Sequence, residues 1–280
     1  MRITVCGTRG STPAPGRDYL RYGGHTSCLA LSADGAAGPE LLLDGGTGIR
    51  EVMALLAGRP FRGTIALTHL HWDHMQGLPF FPAADRADAR VRLLLPGQGA
   101  GTSAEAALER GMSPPQFPIT PRQLRGDWTF TGIEPGTCEA GPFTLLAREI
   151  PHKGGRTFGY RVSDGRGVVA YLPDHSPTEF GPGPDGLGAY HAAAVELAAG
   201  ADLLMHDSFW LADELDPAET FGHAAAEYAV GLAAHAGAGA VLLLHHRPDR
   251  TDTDLDKLAA SFAGSQFPVS VAAQGEVICL

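Results

Sequence analysis

Hydrophobic positions along the chain fall first into short runs bounded by glycine, proline and serine: "RITVCG" (2–7), "HTSCLALSA" (25–33) and "ELLLDGG" (40–46). Runs of this length between turn formers predict strands, and their closeness predicts a sheet that begins by local pairing. "IREVMALLAG" (49–58) then takes helical spacing and stops at a glycine, and "GTIALTH" (63–69) reads as a buried strand ending at a histidine. "RVRLLLPG" (90–97) predicts another strand and "SAEAALERGM" (103–112) a short helix. The proline-rich "SPPQFPITPRQL" (113–124) cannot be regular helix and reads as a connection that forms part of a lid. A second group of strands follows in "FTLLAREIPH" (143–152), "RTFGYRVSD" (156–164) and "GVVAYLPDH" (167–175), the last two split by a tight turn.

The period then changes. "AYHAAAVELAAG" with "ADLLMHDS", and "GHAAAEYAVGLAAHAGAG" with "AVLLLHH", are helix-then-strand units, and "TDTDLDKLAASFAG" is a capped helix leading into "FPVSVAAQGEVICL". Strands, helix and strand, strands again, then alternating helix and strand predict two sheets packed together with helices outside. The expected fold is therefore an α/β four-layer αββα sandwich, as one domain over residues 1–280, with no linker or repeat to divide it.

Composition narrows the function classes. Apolar residues make up 44 % and charged residues 19 % of the 280, which argues against disorder, and no apolar run approaches a bilayer span. The start, "MRITVCGTRGS", lacks the apolar core of a secretory signal, so a cytoplasmic protein is expected. The formal charge of −10 opposes a broad electrostatic grip on nucleic acid, which leaves a small substrate as the expected partner. No membrane partner is expected, and a homodimer is compatible with the chain. Cys6, Cys28, Cys138 and Cys279 form no CxxC pair and read as small, mostly buried residues rather than a zinc ribbon or redox motif.

Chemistry concentrates in "IALTHLHWDHMQGLPFF" (65–81), where His69, His71, Asp73 and His74 crowd together after an apolar run. A packed core has no use for four such side chains unless they share a partner. Imidazole and carboxylate are ligands for divalent metals, and in an extended segment His69, His71 and Asp73 lie on one side and His74 on another. Such a segment can serve two adjacent ions, about 3.5–4 Å apart in the usual hydrolytic clamp. Further ligands then belong at other strand ends, and His152, Asp174, His245 and His246 each follow an apolar run.

"THLHWDH" is the HxHxDH signature, and with the later His, Asp and His the chain resembles the metallo-β-lactamase superfamily over nearly its whole length. The resemblance implies one metal held by His69, His71 and His152, a second held by Asp73, His74 and His245, and Asp174 bridging both together with a water or hydroxide. It implies two divalent ions, zinc by default, with manganese or iron able to take the same donors. "VCGTRGSTPAPG", "YGGHTSC" and "LLDGGTGIR" resemble the openings of phosphodiesterase-like members, in which the first glycine turn and the Asp44 loop border the metals. "FGHAAAEYA" sits where those enzymes carry a GHST helix start, so His223 is implied as the acid that assists the leaving group, although Ala224 and Ala225 replace the Ser-Thr pair. Asp73 is implied as an acceptor of the nucleophile's proton. The tRNA-processing members that carry a protruding arm between the third-motif His and fourth-motif Asp need a long insertion, whereas one hairpin separates His152 from Asp174 here.

The expectation is a dinuclear metal-dependent hydrolase acting on a small phosphodiester, cyclic ones included. Its same-fold rival is a lactone, thioester or carboxyl-ester hydrolase, and its rival from another class is a metal-binding accessory protein without turnover. Several residues stay open at this point: His245 is preferred to His246 as ligand, with His246 supporting it. His175, His206 and Asp207 read as orienting or structural, His25 as a loop histidine near the site, and Lys153 and Arg156 as phosphate contacts or plain surface charge. His191 and His235 lie in helical patterns and are expected to do nothing chemical. Substrate contacts are expected from the 96–125 region.

Overall fold

Period-two alternation in the strands sets the layering, and it is seen in a computed structural model that describes residues 1–216, 221–265 and 267–280. In chain order the strands are β1 (Arg2–Gly7), β2 (Cys28–Ser32), β3 (Leu41–Leu43), β4 (Arg62–Ala66), β5 (Arg90–Pro96), β6 (Asp127–Ile133) and β7 (Gly136–Ala140). They continue with β8 (Phe143–Ile150), β9 (Thr157–Ser163), β10 (Val168–Leu172), β11 (Leu203–Asp207), β12 (Val241–Leu244), β13 (Val269–Val271) and β14 (Val277–Cys279). Two seven-stranded sheets result, in the orders β14-β1-β2-β3-β4-β5-β6 and β13-β12-β11-β10-β9-β8-β7. Each is antiparallel through one half and parallel through the other: β3 to β6 run parallel in the first sheet, and β10 to β13 in the second.

Leu29 and Leu31 of β2 face a core shared with Phe158, Tyr160 and Tyr171 of the other sheet, while Cys28 and Ala30 face outward to a second cluster. In β12, Leu242 and Leu244 join the shared core and Val241 and Leu243 a third cluster beneath the helices. Helices α1 (Val52–Leu56) and α3 (Ala104–Glu109) cover the first sheet; α4 (Ala192–Ala198), α5 (Ala226–Ala236) and α6 (Asp252–Ser261) cover the second. Each fully buried Leu or Phe in these clusters contributes about 1.5–3 kcal/mol. The αββα sandwich is therefore as expected. The alanine-rich start of α5, from Ala224 to Ala226, is fully buried, so small residues there let the helix lie close on the sheet. Among the described residues no helix is long and apolar enough to cross a membrane.

Two strands were not expected. β6 and β7 are half-exposed edge strands; in β6, Trp128 and Phe130 alternate with exposed residues and pack against the outer cluster, and in β7, Ala140 is buried in the shared core. The expected helix over 49–58 is a 3₁₀ turn at Thr47–Glu51 followed by the short α1. Segments 113–120 lie irregular, as the prolines require, beside a one-turn helix α2 (Trp72–Met75).

Candidate metal centre

Parallel strands place their C-terminal ends along one edge of the sandwich, and the expected ligands collect there. His69 follows β4, His152 follows β8, Asp174 follows β10 and His245 follows β12. Two groups form: His69, His71, His152 and Asp174, and Asp73, His74, Asp174 and His245, the ligand atoms within each lying within 4.8 Å of one another. Asp174 belongs to both. Extended alternation had grouped Asp73 with His69 and His71; the chain instead turns into α2 at Trp72, which carries Asp73 round to the side of His74 and His245.

The donors are buried, and several are left with a free lone pair. His69 Nε2, His74 Nε2, His245 Nε2 and Asp174 Oδ1 make no hydrogen bond among the described residues. Buried atoms of this kind are costly unless something binds them, and a divalent cation is the partner that imidazole nitrogen and carboxylate oxygen share. The opposite ring nitrogens are tied back. His74 Nδ1–H donates to Asp44 Oδ2 at 2.8 Å, and His152 Nδ1–H donates to the Gly222 carbonyl at 2.7 Å. His69 Nδ1–H points to Thr68 Oγ1 at 3.1 Å, and that hydroxyl donates to Asp44 at 3.0 Å. Tyr171 adds a hydroxyl to Asp44 at 2.9 Å. These tautomers are the assignment that satisfies every tied nitrogen, and they leave each Nε2 toward the centre. The donor set thus fits divalent metal ions.

Electrostatics agree with this. Burial pushes the imidazoles of His69, His71 and His245 down, so they are neutral and able to offer a lone pair at neutral pH. Burial opposes ionisation of Asp73 and Asp174 as well, yet His74 beside Asp73, and His245 and His74 beside Asp174, hold both carboxylates below their ordinary range. His74 is pushed the other way: against its burial, Asp174, Asp73 and Asp44 raise it. A cation entering here replaces that proton as the compensating charge.

The glycine turn in "CGTRGS" belongs to the site. A Cβ on Gly10 would lie 2.4 Å from the His245 ring, so no other residue lets the loop approach this closely, and the next residue, Ser11, donates its N–H to Asp73 Oδ2 at 2.7 Å. Arg9, fully buried, anchors the loop through Nε to the Gly23 carbonyl and Nη1 to the Arg250 carbonyl, both at 2.7 Å. The loop was expected at the site from its sequence but Arg9 was not, since a buried arginine carries no local signal.

His223 opens the polypeptide turn before α5 and lines the same cleft, about 470 Å³ in volume, with Asp73, His152 and Asp174. Its Nδ1–H donates to Asp207 Oδ2 at 2.9 Å, and its ring stacks on Phe209 with centroids 4.3 Å apart. Burial would lower its pKa, but the neighbouring Asp207 carboxylate and that hydrogen bond raise it above the ordinary imidazole value. Asp207, expected only to orient or to be structural, is thus the group that orients His223; it also accepts N–H bonds from Phe209, His175 and Ala224. Ala224 and Ala225 bring no hydroxyl to the site.

The remaining candidates stand outside the cluster. His246 is buried between Ser208 and the Ala272 carbonyl, 3.0 Å from the latter. Arg156 is committed to Glu134 and Glu149, which makes it a hairpin clasp rather than a phosphate contact. Lys153 is exposed, its ammonium 5.9 Å from the Phe221 ring at the cleft. His25 meets Thr47 and, at 3.5 Å, Glu51. His191 was expected to be inert but touches His175 at 2.7 Å, and His175 in turn meets His206 at 3.0 Å.

Comparison with known proteins agrees with this geometry. A protein of Limosilactobacillus fermentum named Ribonuclease Z is 27 % identical over 289 residues, covering 88 % of this chain and 87 % of its own length. The metallo-beta-lactamase fold protein YhfI from Bacillus subtilis superposes with a TM-score of 0.70 at 18 % identity, over 99 % of both chains. A diphosphatase from the PhnP family superposes with a TM-score of 0.69 at 19 % identity, over 100 % of this chain and 97 % of its own. A family model described as the beta-lactamase superfamily domain matches residues 40–246. With two mixed sheets between helices and a His/Asp cluster at their strand ends, the chain belongs to the beta-lactamase superfamily and is a hydrolase of the metallo-β-lactamase fold.

Proposed function

We propose that this protein is a dinuclear metal-dependent phosphodiesterase, and the observation that carries the reading is the pair of four-donor groups sharing Asp174, with four buried donor atoms otherwise unsatisfied. In this reading His69, His71 and His152 hold one ion, Asp73, His74 and His245 hold the other, and Asp174 serves both. Two divalent cations bound there, zinc by default, would lower the pKa of water toward neutrality and polarise a phosphoryl group. The chain's own residues do the rest. Asp44, Thr68 and the Gly222 carbonyl fix the ligand tautomers, and the Ser11 N–H fixes Asp73, which accepts the nucleophile's proton. His223, kept protonated by Asp207, donates to the leaving oxygen.

Phosphodiester chemistry is favoured over carboxyl-ester chemistry by relatives named Ribonuclease Z and a fold neighbour described as a diphosphatase. Those names also stand against the expectation that nucleic acid is not a partner. The charge of −10 and the single hairpin between His152 and Asp174 support a small phosphodiester over a folded RNA. The test is turnover of bis-p-nitrophenyl phosphate, a short single-stranded RNA, and a panel of lactones and thioesters by protein loaded in turn with zinc, manganese and iron. We expect hydrolysis of the diester and not of the lactones or thioesters; lactone or thioester hydrolysis without diester hydrolysis contradicts the assignment.

A further inference from the structure

Beside the metal cleft lies a second cavity, of about 380 Å³, and Trp72 lines both. Trp72 stands between His71 and Asp73 at the start of α2, so its backbone is held by the ligand segment while its side chain is 72 % exposed. A large aromatic ring left in water next to a reaction centre is unusual unless something covers it in use. Met75 closes the floor, and Phe80 and Phe117 form an edge-to-face pair across the wall, with centroids 5.7 Å apart. Among the described residues no charged side chain lines this recess. Two amides do, Gln76 and Gln116, and their side chains hold no hydrogen-bond partner among the described residues. Phe221, which lines the metal cleft with Trp72, is exposed, and the Lys153 ammonium lies 5.9 Å from its ring. The recess beside the cleft is therefore its apolar, aromatic side, with two amides.

We propose that the Trp72 recess is a nucleobase subsite: it takes the flat base next to the scissile bond, stacked on Trp72 with its edge read by Gln76 and Gln116. This rests on the phosphodiesterase reading for the chemistry, but the recess itself is argued from its own lining. Aromatic rings accept any base by its π-face, free amides supply the donor and acceptor that a base edge needs, and a neutral wall excludes the phosphate. A purely alkyl group would make no use of either amide, both of which water otherwise solvates.

Binding and turnover test it separately. Metal-loaded protein is titrated by calorimetry with adenosine monophosphate, with ribose phosphate as the probe lacking a base, and with phenyl phosphate as an aryl probe lacking a readable edge. We expect adenosine monophosphate to bind at least about tenfold more tightly than the other two, and Trp72→Ala to remove most of that advantage. Phe80→Ala, an exposed position away from the ligands, is expected to reduce it in the same direction, which guards against misfolding of the first variant. Gln116→Leu is expected to bring adenosine monophosphate down to the level of phenyl phosphate. In metal-loaded protein, the ratio of kcat/KM for a cyclic adenosine phosphate to that for cyclic glycerol phosphate falls about tenfold or more in Trp72→Ala. Equal binding of adenosine monophosphate and ribose phosphate, or an unchanged ratio, overturns the subsite while leaving phosphodiesterase chemistry standing. Phenyl phosphate binding as tightly as adenosine monophosphate, indifferent to Gln116, overturns the base in favour of a general aryl site. Failure to cleave either diester, with Trp72-dependent nucleotide binding intact, counts against the chemistry and not the recess.

Discussion

Among the described residues two groups of histidines form, and one of them brings lone pairs together with carboxylates while the other does not. His69, His71, His74, His152 and His245 converge with Asp73 and Asp174, and the ring nitrogens of His69, His74 and His245 that lack hydrogen bonds lie among them. His175, His191 and His206 instead form a chain. His191 meets His175 through Nε2, His175 Nδ1 meets His206 Nε2, and His206 Nδ1–H donates to the Asp207 carbonyl at 2.8 Å. One choice of neutral tautomers satisfies that chain completely, and no carboxylate oxygen enters it. Burial accordingly keeps all three rings below the ordinary imidazole range. Histidine count is therefore a poor mark of a metal site; convergent lone pairs with carboxylates between them are a good one.

The sharpest way to break this comparison is at the residue both ligand groups share. Asp174→Ala should lose both ions and reduce turnover by more than about 10³-fold, beyond what losing one transition-state donor costs. Elemental analysis beside the kinetic assay checks it. His223→Gln should keep two ions yet lose roughly 10²–10⁴ of the rate, since only proton donation is removed. Because Asp207 raises His223, the acid is protonated at neutral pH and its proton is lost as pH rises. The wild-type rate should therefore fall on the alkaline side, and a pH profile of His223→Gln should lack that limb.

Asp44→Asn tests the tied-back nitrogens: with an NH2 in place of one carboxylate oxygen, the side chain can no longer accept from both the Thr68 N–H and His74 Nδ1–H, and metal affinity should weaken about 10–100-fold in a competition with a chelator dye. The smallest effect belongs to the second cluster. His191 is pushed down to about 4, first by burial and then by His206, from an ordinary 6.5. The unfolded chain thus takes a proton that the folded chain resists; the stability held above about pH 6.5 is lost as pH falls toward 4. His191→Gln should flatten that acid-side decline in urea unfolding while leaving metal content at two, whereas a changed metal content would erase the distinction between the clusters.

The metal cluster was legible because its first four members are contiguous and the others stand at the ends of apolar runs. Its partition was only partly so: period-two alternation misplaces Asp73, since the turn of α2 begins inside the motif. The histidine chain was not legible, because its members lie 16 and 31 residues apart and meet only through the parallel pairing of β10 with β11 and the packing of the segment before α4. Edge strands β6 and β7 were not expected, because their partial exposure at the sheet edges leaves many polar residues in them, although Trp128 and Phe130 alternate in β6. The 96–125 region was expected to bear on substrate, and Gln116 and Phe117 do line the recess beside the metals, but which cavity they line follows from tertiary packing that no local pattern encodes.

The central claim is that seven side chains hold two ions with Asp174 between them, and zinc titration of metal-stripped protein tests it most directly. The expected result is two equivalents bound per chain in the wild type and in His191→Gln, with neither retained in Asp174→Ala; a single equivalent in the wild type, or two in Asp174→Ala, would contradict it.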